Sequence, residues 1–207
     1  MPQDFQDKDV DRIRTADAVV RRCLVLHAVL AVGHEVPREQ VVSWLRRERL
    51  WDSVSPEESL FLLSGSPTPQ QRIDATWRAE ALFPLLWSLA LIPALPSPQQ
   101  FCDLQLIQSV LPPLFESVSE FISSARLRPD SEVRAANEEI YQIHWRVRDA
   151  QFRGQPTPPG KLARMPIPNC ELPAESYHSG VVRERHFALN WLIGYCGQDW
   201  DDISTDT

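Results

Sequence analysis

The sequence predicts an all-α protein, a single compact domain of seven to eight helices. Helix start signals recur along the chain, apolar residues are spaced three and four positions apart, and no stretch shows the alternation of a strand. The chain has 207 residues, 43% of them hydrophobic, enough to bury one sizeable core. We therefore expect one domain over residues 1–207, with a long proline-rich loop before the last helix.

The first two helices are predicted from caps and apolar runs. Thr15 precedes a largely apolar run over residues 16–32 that Gly33 closes, the pattern of an N-cap, a buried helix and a C-terminal glycine. Pro37 can occupy the first position of a second helix that ends near Arg49, because its fixed φ suits the first turn. We expect the first helix to be central.

The next helices share a capping box, in which Ser or Thr and the Glu or Gln three residues later cap each other's backbone. It occurs at Ser55-Pro56-Glu57-Glu58, Thr68-Pro69-Gln70-Gln71 and Ser97-Pro98-Gln99-Gln100. The helix after Thr68 is apolar all round from residue 79, which indicates a core position. Pro84 should kink or split it.

The second half of the chain alternates helices and proline-containing connections. Pro112-Pro113 separates segments around residues 104–110 and 114–124, and residues 130–153 form the clearest amphipathic pattern, before Gly154. Residues 155–176 are proline-rich without periodicity, which predicts a loop covering the surface. The last helix begins near His178 and ends at Gly197, and residues 198–207 form an acidic tail.

Composition excludes several classes of protein. The net charge of −7 disfavours nucleic-acid binding and favours a basic protein partner, and the arginines of residues 126–153 alternate with acids. No apolar run reaches the roughly 20 residues that span a bilayer, and no secretory signal is found, so we expect a cytoplasmic protein. The cysteines lie far apart, as expected of reduced thiols rather than a zinc site: Cys23, Cys102, Cys170 and Cys196.

Familiar catalytic and nucleotide-binding motifs are absent from the sequence. No two of the five histidines stand three or four positions apart, as they would to grip one metal ion from a single helix. We therefore expect neither a metal nor a cofactor, and the sequence does not indicate the oligomeric state.

The densest group of polar site candidates is in the last 26 residues. Arg185 shares the buried helix face of Ala188 and Leu189, so its guanidinium needs a carboxylate partner. Glu80, at the start of the most apolar stretch, is either paired with an arginine or has a raised pKa and serves as an acid or base. The candidate binding residues are Arg78, Glu184, Arg185, Asn190, Asp202 and Asp206, and the candidate catalytic residues are Glu80, His186 and Asp201.

The aspartates of the tail follow a helix C-terminus, where negative charge is unfavourable. They are Asp199, Asp201, Asp202 and Asp206. Three interpretations remain open: ion pairs with Arg185, Arg183 or Arg78 that pin the tail, a site for a divalent metal ion, or an aspartate orienting His186 as a general base.

Four groups of residues resemble the bacterial domain-of-unknown-function family 4272. They are Leu50-Trp51 with Ser55-Pro56-Glu57-Glu58; Trp77-Arg78-Ala79-Glu80-Ala81-Leu82 with Leu86-Trp87; Glu184-Arg185-His186 with Ala188-Leu189-Asn190-Trp191; and Trp200-Asp201-Asp202 with Thr205-Asp206-Thr207. The resemblance spans most of the chain and implies a bacterial, intracellular, single-domain protein. It implies no activity and no catalytic residue.

Two functions follow as hypotheses. The first is a non-catalytic protein-interaction module, of a toxin-neutralising or accessory kind, with a basic partner. The second is a small hydrolase or transferase with a pocket built from Arg78, Glu80, His186 and Asp201.

Overall fold

Eight α-helices and no strand make up the described part of the chain, which is residues 11–63, 65–153 and 177–207 of a computed structural model. The helices are α1 (Ala16–Gly33), α2 (Arg38–Arg47), α3 (Pro56–Leu63), α4 (Pro69–Ser88), α5 (Leu104–Val110), α6 (Ser119–Ser124), α7 (Asp130–Arg153) and α8 (Ser179–Ile193). The prediction of a single compact all-α domain is confirmed. Gly154, Cys170 and the predicted loop 155–176 lie outside the described residues.

Helix α1 is central, as predicted. It packs along α4, while α4 and α7 both pack against α8. Buried apolar side chains from these four helices form the larger core cluster, and a smaller cluster joins α1 to α2 and α3. Helix α8 is therefore covered on two sides, which buries polar positions that a surface helix would leave in water.

Two of the three predicted capping boxes are confirmed. At α3, the Ser55 hydroxyl accepts from the Glu58 N–H at 3.3 Å, and the Glu58 carboxylate accepts from the Ser55 N–H at 2.9 Å. At α4, Thr68 and Gln71 make the same reciprocal pair. Thr15 caps α1 by accepting from the Ala18 N–H.

The third capping box is wrong, because residues 97–100 form a turn. The backbone there is held by α8: the His178 N–H donates to the Pro98 carbonyl at 3.2 Å, and Arg185 donates to the Gln100 carbonyl at 2.9 Å. Helix α5 begins later, at Leu104, where the Asp103 carboxylate accepts from the first backbone N–H groups.

Helix α1 ends at Gly33, as predicted, whereas α4 is not split at Pro84 and α8 ends before Gly197. Helix α4 is continuous through Pro84 and is not split. A Cβ on Gly33 would lie 3.1 Å from the Ala75 Cβ, so this glycine permits close packing of α1 on α4. Helix α8 ends at Ile193 rather than at Gly197, because Gly194 adopts the left-handed conformation with φ 74°.

Two other helix boundaries differ from the prediction. Helix α2 ends at Arg47, two residues before the predicted end, and α6 covers only the second half of the segment 114–124. Within the described ranges, no helix is both long enough and apolar enough to cross a membrane.

Candidate functional site

The candidate site residues of the last helix are all buried. Glu184, Arg185, His186 and Asn190 are between 1% and 5% exposed. Successive residues of a helix point about 100° apart, and α8 lies against both α4 and α7. Each of these side chains therefore meets a different neighbour, and they do not form one cluster.

Arg185 and Glu80 form a buried ion pair between α8 and α4. The Arg185 Nε and Nη2 atoms lie 3.1 and 2.9 Å from Glu80 Oε2, and the same guanidinium donates to the carbonyls of Pro96 and Gln100. The Cys102 N–H donates to Glu80 Oε1 at 2.7 Å. The inward position of Arg185 and the arginine partner of Glu80 are both confirmed. Burial, with the nearby Glu80 carboxylate, raises the pKa of the Cys102 thiol to about 12.

Glu184 accepts from two arginines. Its Oε2 atom lies 3.0 Å from Arg78 Nη1, and its Oε1 atom lies 3.0 Å from Arg183 Nη2. The Arg78 guanidinium also lies over the Phe187 ring, 5.3 Å from its centroid. This group ties the first half of α8 to α4 nearer the surface than the Arg185 pair does.

His186 is paired with His144 on α7, a contact that the sequence did not predict because 42 positions separate the two. Their Nδ1 atoms lie 2.8 Å apart. One ring must donate and the other accept, so the neutral pair holds opposite tautomers. Burial lowers the pKa of each to about 4, with Arg148 and Arg183 adding to the effect on His144 and His144 adding to the effect on His186.

Asn190 joins three parts of the fold. Its side-chain oxygen accepts from the Asn137 amide on α7 at 2.8 Å, and its own amide donates to the Ser204 carbonyl in the tail at 2.8 Å. With donor and acceptor both used, Asn190 holds the tail against α7 and α8.

Trp200 anchors the tail in the core and is 3% exposed. Its ring packs edge-on against Phe187 and Trp191, with centroids 4.8 and 5.4 Å apart, and Arg22 of α1 lies over its face at 4.6 Å. Arg22 also pairs with Glu58 of the α3 capping box at 2.6 Å. Sequence reasoning missed Arg22, although a cation within the apolar run of α1 was a visible signal.

The tail aspartates do not pair with Arg185, Arg183 or Arg78, because those arginines bind Glu80 and Glu184 instead. Asp201 accepts from the Glu57 N–H at the start of α3, at 2.9 Å. Asp202 and Asp206 are exposed. In the part of the chain that the structure describes, no three His, Cys, Asp or Glu residues are grouped so that they could hold a metal ion.

The four residues of the predicted enzyme pocket have separate partners. Arg78 binds Glu184, Glu80 binds Arg185, His186 binds His144, and Asp201 binds the backbone of Glu57. Among the described residues, no hydrogen bond or ion pair joins any two of the four. A shared catalytic role for them stays a prediction.

Comparison with known proteins gives one match. The sequence matches the family described as Domain of unknown function (DUF4272) over residues 2–203, a range that includes all eight helices. No curated protein and no solved structure matches the chain. The family description assigns no activity, so the roles of individual residues must be argued from their geometry.

Proposed function

The chain belongs to the DUF4272 family, and from the geometry of one surface we propose that it is a protein-interaction module that binds a basic partner protein. This surface, the α3 surface, combines the exposed side of α3 with the acidic turn that follows α8. Its residues are Glu57, Leu60, Leu63, Asp201 and Asp202.

The apolar part of the α3 surface is two leucines. Leu60 is 71% exposed and Leu63 is 56% exposed, and their spacing of three residues puts them on one side of the helix. On the inner side, Leu62 and Glu58 are buried and hold α3 against the core. A rigid helix that presents large apolar side chains to water is typical of a contact surface for another protein.

The acidic part meets the first turn of the same helix through one contact, which carries the proposal. The Asp201 carboxylate accepts from the Glu57 N–H at 2.9 Å, so the acidic turn lies against the start of α3. Neither Asp201 nor Asp202 forms an ion pair with a described residue. Acids without cationic partners attract a basic protein and raise its association rate.

The buried polar residues support the same proposal. Glu80 and His186 join helices to one another, so neither is available to a partner. The proposal places the protein and its partner in the cytoplasm, and neutralising a basic toxin is one form that the function would take.

Site-specific photo-cross-linking tests the proposal in cells that produce the protein. A photoreactive residue at position 60 should give one discrete adduct with a basic protein. The same residue at position 101 is the control, because Phe101 is also exposed, at 58%, but lies on another element. Equal adducts at both positions would count against the α3 surface.

The identified partner is then purified and its affinity measured. Leu60→Asp should weaken binding at least tenfold, and the pair Asp201→Asn with Asp202→Asn should weaken it and reduce its salt dependence. The circular dichroism spectrum of Leu60→Asp should match the parent spectrum, because the side chain is exposed. Unchanged affinity in both variants would refute the proposal.

A further inference from the structure

A cavity of about 340 Å³ lies between α7 and the first turn of α8. The lining residues that matter here are His144, Arg148 and Gln151 from α7, and Ser179, Gly180 and Arg183 from α8. It is separate from the α3 surface and shares no residue with it.

The cavity is positively charged. Arg148 and Arg183 line it, and no acidic side chain does. Both arginines contribute to lowering the pKa of His144, as expected where positive potential reaches the cavity. Arg183 also binds Glu184, whereas Arg148 has no ion pair with a described residue.

A larger cavity, of about 680 Å³, differs because acidic side chains contribute to its lining. Three arginines line it, but so do Asp17 and Glu48, and Arg21 is bound to Asp17 at 2.9 Å. The lining of the larger cavity is therefore of mixed charge. Of these two cavities, the smaller is the one whose lining has cations and no acidic side chain.

His144 supplies a buried polar group to the smaller cavity. It is 6% exposed and its Nδ1 atom is bonded to His186, while its Nε2 atom has no hydrogen-bond partner among the described residues. If His186 donates in that pair, the hydrogen of His144 is on Nε2. A ligand oxygen in the cavity would accept this hydrogen.

The start of α8 adds backbone donors. His178, at the N-cap, makes no side-chain capping bond, and the first turn contains no acid. Ser179 and Gly180 of that turn line the cavity, so N–H groups without helical acceptors lie beside it.

We infer that this cavity binds a small molecule that carries a phosphate group. Its donors come from α7, from α8 and from the His144 ring, and a tetrahedral phosphate can accept from several directions at once. A carboxylate has two coplanar oxygens, which a single guanidinium satisfies. The volume is at the lower end of the range for small-molecule sites, which favours a compact ligand.

Calorimetric titration of the full chain tests the inference, with inorganic phosphate and glycerol 3-phosphate as probes and acetate for comparison, all at constant ionic strength. Arg148→Gln and Arg183→Gln should each weaken phosphate binding about tenfold or more. Arg126→Gln, in the larger cavity, is the matched control and should leave it unchanged. Arg148 is exposed, so its variant should fold normally.

The outcomes separate the possible ligands. Tighter binding of glycerol 3-phosphate than of inorganic phosphate supports an organic phosphate, and equal binding supports the free ion. Phosphate should also shift the ¹⁵N resonances of the His144 ring in the parent but not in Arg148→Gln. Acetate binding as tight as phosphate, the absence of phosphate binding, or equal loss in Arg126→Gln would overturn the inference.

Discussion

Replacing Arg185 by leucine should destabilise the fold more than removal of any surface charge. The Arg185 side chain is 3% exposed, and its guanidinium binds Glu80 through Nε and Nη2. It also holds the carbonyls of Pro96 and Gln100, in the segment between α4 and α5. In Arg185→Leu, the Cys102 N–H is the one donor that the described residues still offer to the buried Glu80 carboxylate.

The magnitude follows from that isolated charge. Removing one partner of a buried ion pair costs about 3–5 kcal/mol in free energy of unfolding, because the other charge stays buried. In a chain of this size each kcal/mol lowers Tm by about 2–4 °C, so the expected decrease is about 6–20 °C. Arg185→Lys should not restore stability, because one ammonium cannot replace the planar fork that reaches Glu80 and both carbonyls.

Urea unfolding followed by tryptophan fluorescence measures the loss. Arg21→Leu is the control, because Arg21 pairs with Asp17 on an exposed face and its loss should cost about 0.5 kcal/mol or less. In a double-mutant cycle, Glu80→Leu with Arg185→Leu should cost at least about 1 kcal/mol less than the sum of the single changes. A loss below about 1 kcal/mol in Arg185→Leu, or strict additivity, would refute this account of the pair.

Three further predictions concern burial and backbone geometry. Burial lowers the pKa of three histidines to about 4, below their usual 6.5; they are His27, His144 and His186. The unfolded chain binds their protons first, so the free energy of unfolding should fall as pH drops from about 6.5 to 4, by about 1–2 kcal/mol per histidine at pH 5. Equal urea midpoints at pH 7.5 and pH 5 would contradict this. Gly194→Ala should lower the free energy of unfolding, measured by thermal unfolding, by at least about 1 kcal/mol more than Gly197→Ala does. Both glycines have a positive φ, but only at Gly194 would an added Cβ meet a backbone carbonyl, at 2.5 Å. Trp200→Ala should cost about 3–5 kcal/mol, and a loss near zero would show that the ring does not anchor the tail.

Helix starts were predictable where their determinants lie within one turn. Thr15 and the boxes at Ser55 and Thr68 cap as expected, because cap and first turn are adjacent in sequence. The box at Ser97 has the same local signal and fails, because residues about 80 positions away bind that backbone. Local signals therefore decide a helix start only where no distant donor competes for the same carbonyls.

The sequence predicted which kinds of side chain the candidate site contains better than it predicted which residues pair with one another. Periodicity placed Arg185 inside, and the cost of a buried charge required a carboxylate. That the carboxylate is Glu80 rather than a tail aspartate depends on how α4 packs against α8. The His144 contact with His186 depends in the same way on α7, so helical spacing within one segment could not indicate it.

The residues that carry the family resemblance explain the fold better than they explain an activity. Glu58, Glu80, Arg185 and Trp200 come from four separate motifs, and each is buried in a contact between different elements of the chain. Side chains of this kind are fixed by burial, since replacing one leaves its partner uncompensated. The residues that carry the resemblance therefore account for the core of this chain, and both proposals rest on groups that the core presents to solvent. The leucines of α3 and the arginines of the small cavity are such groups, and the cross-linking and phosphate titrations test them independently.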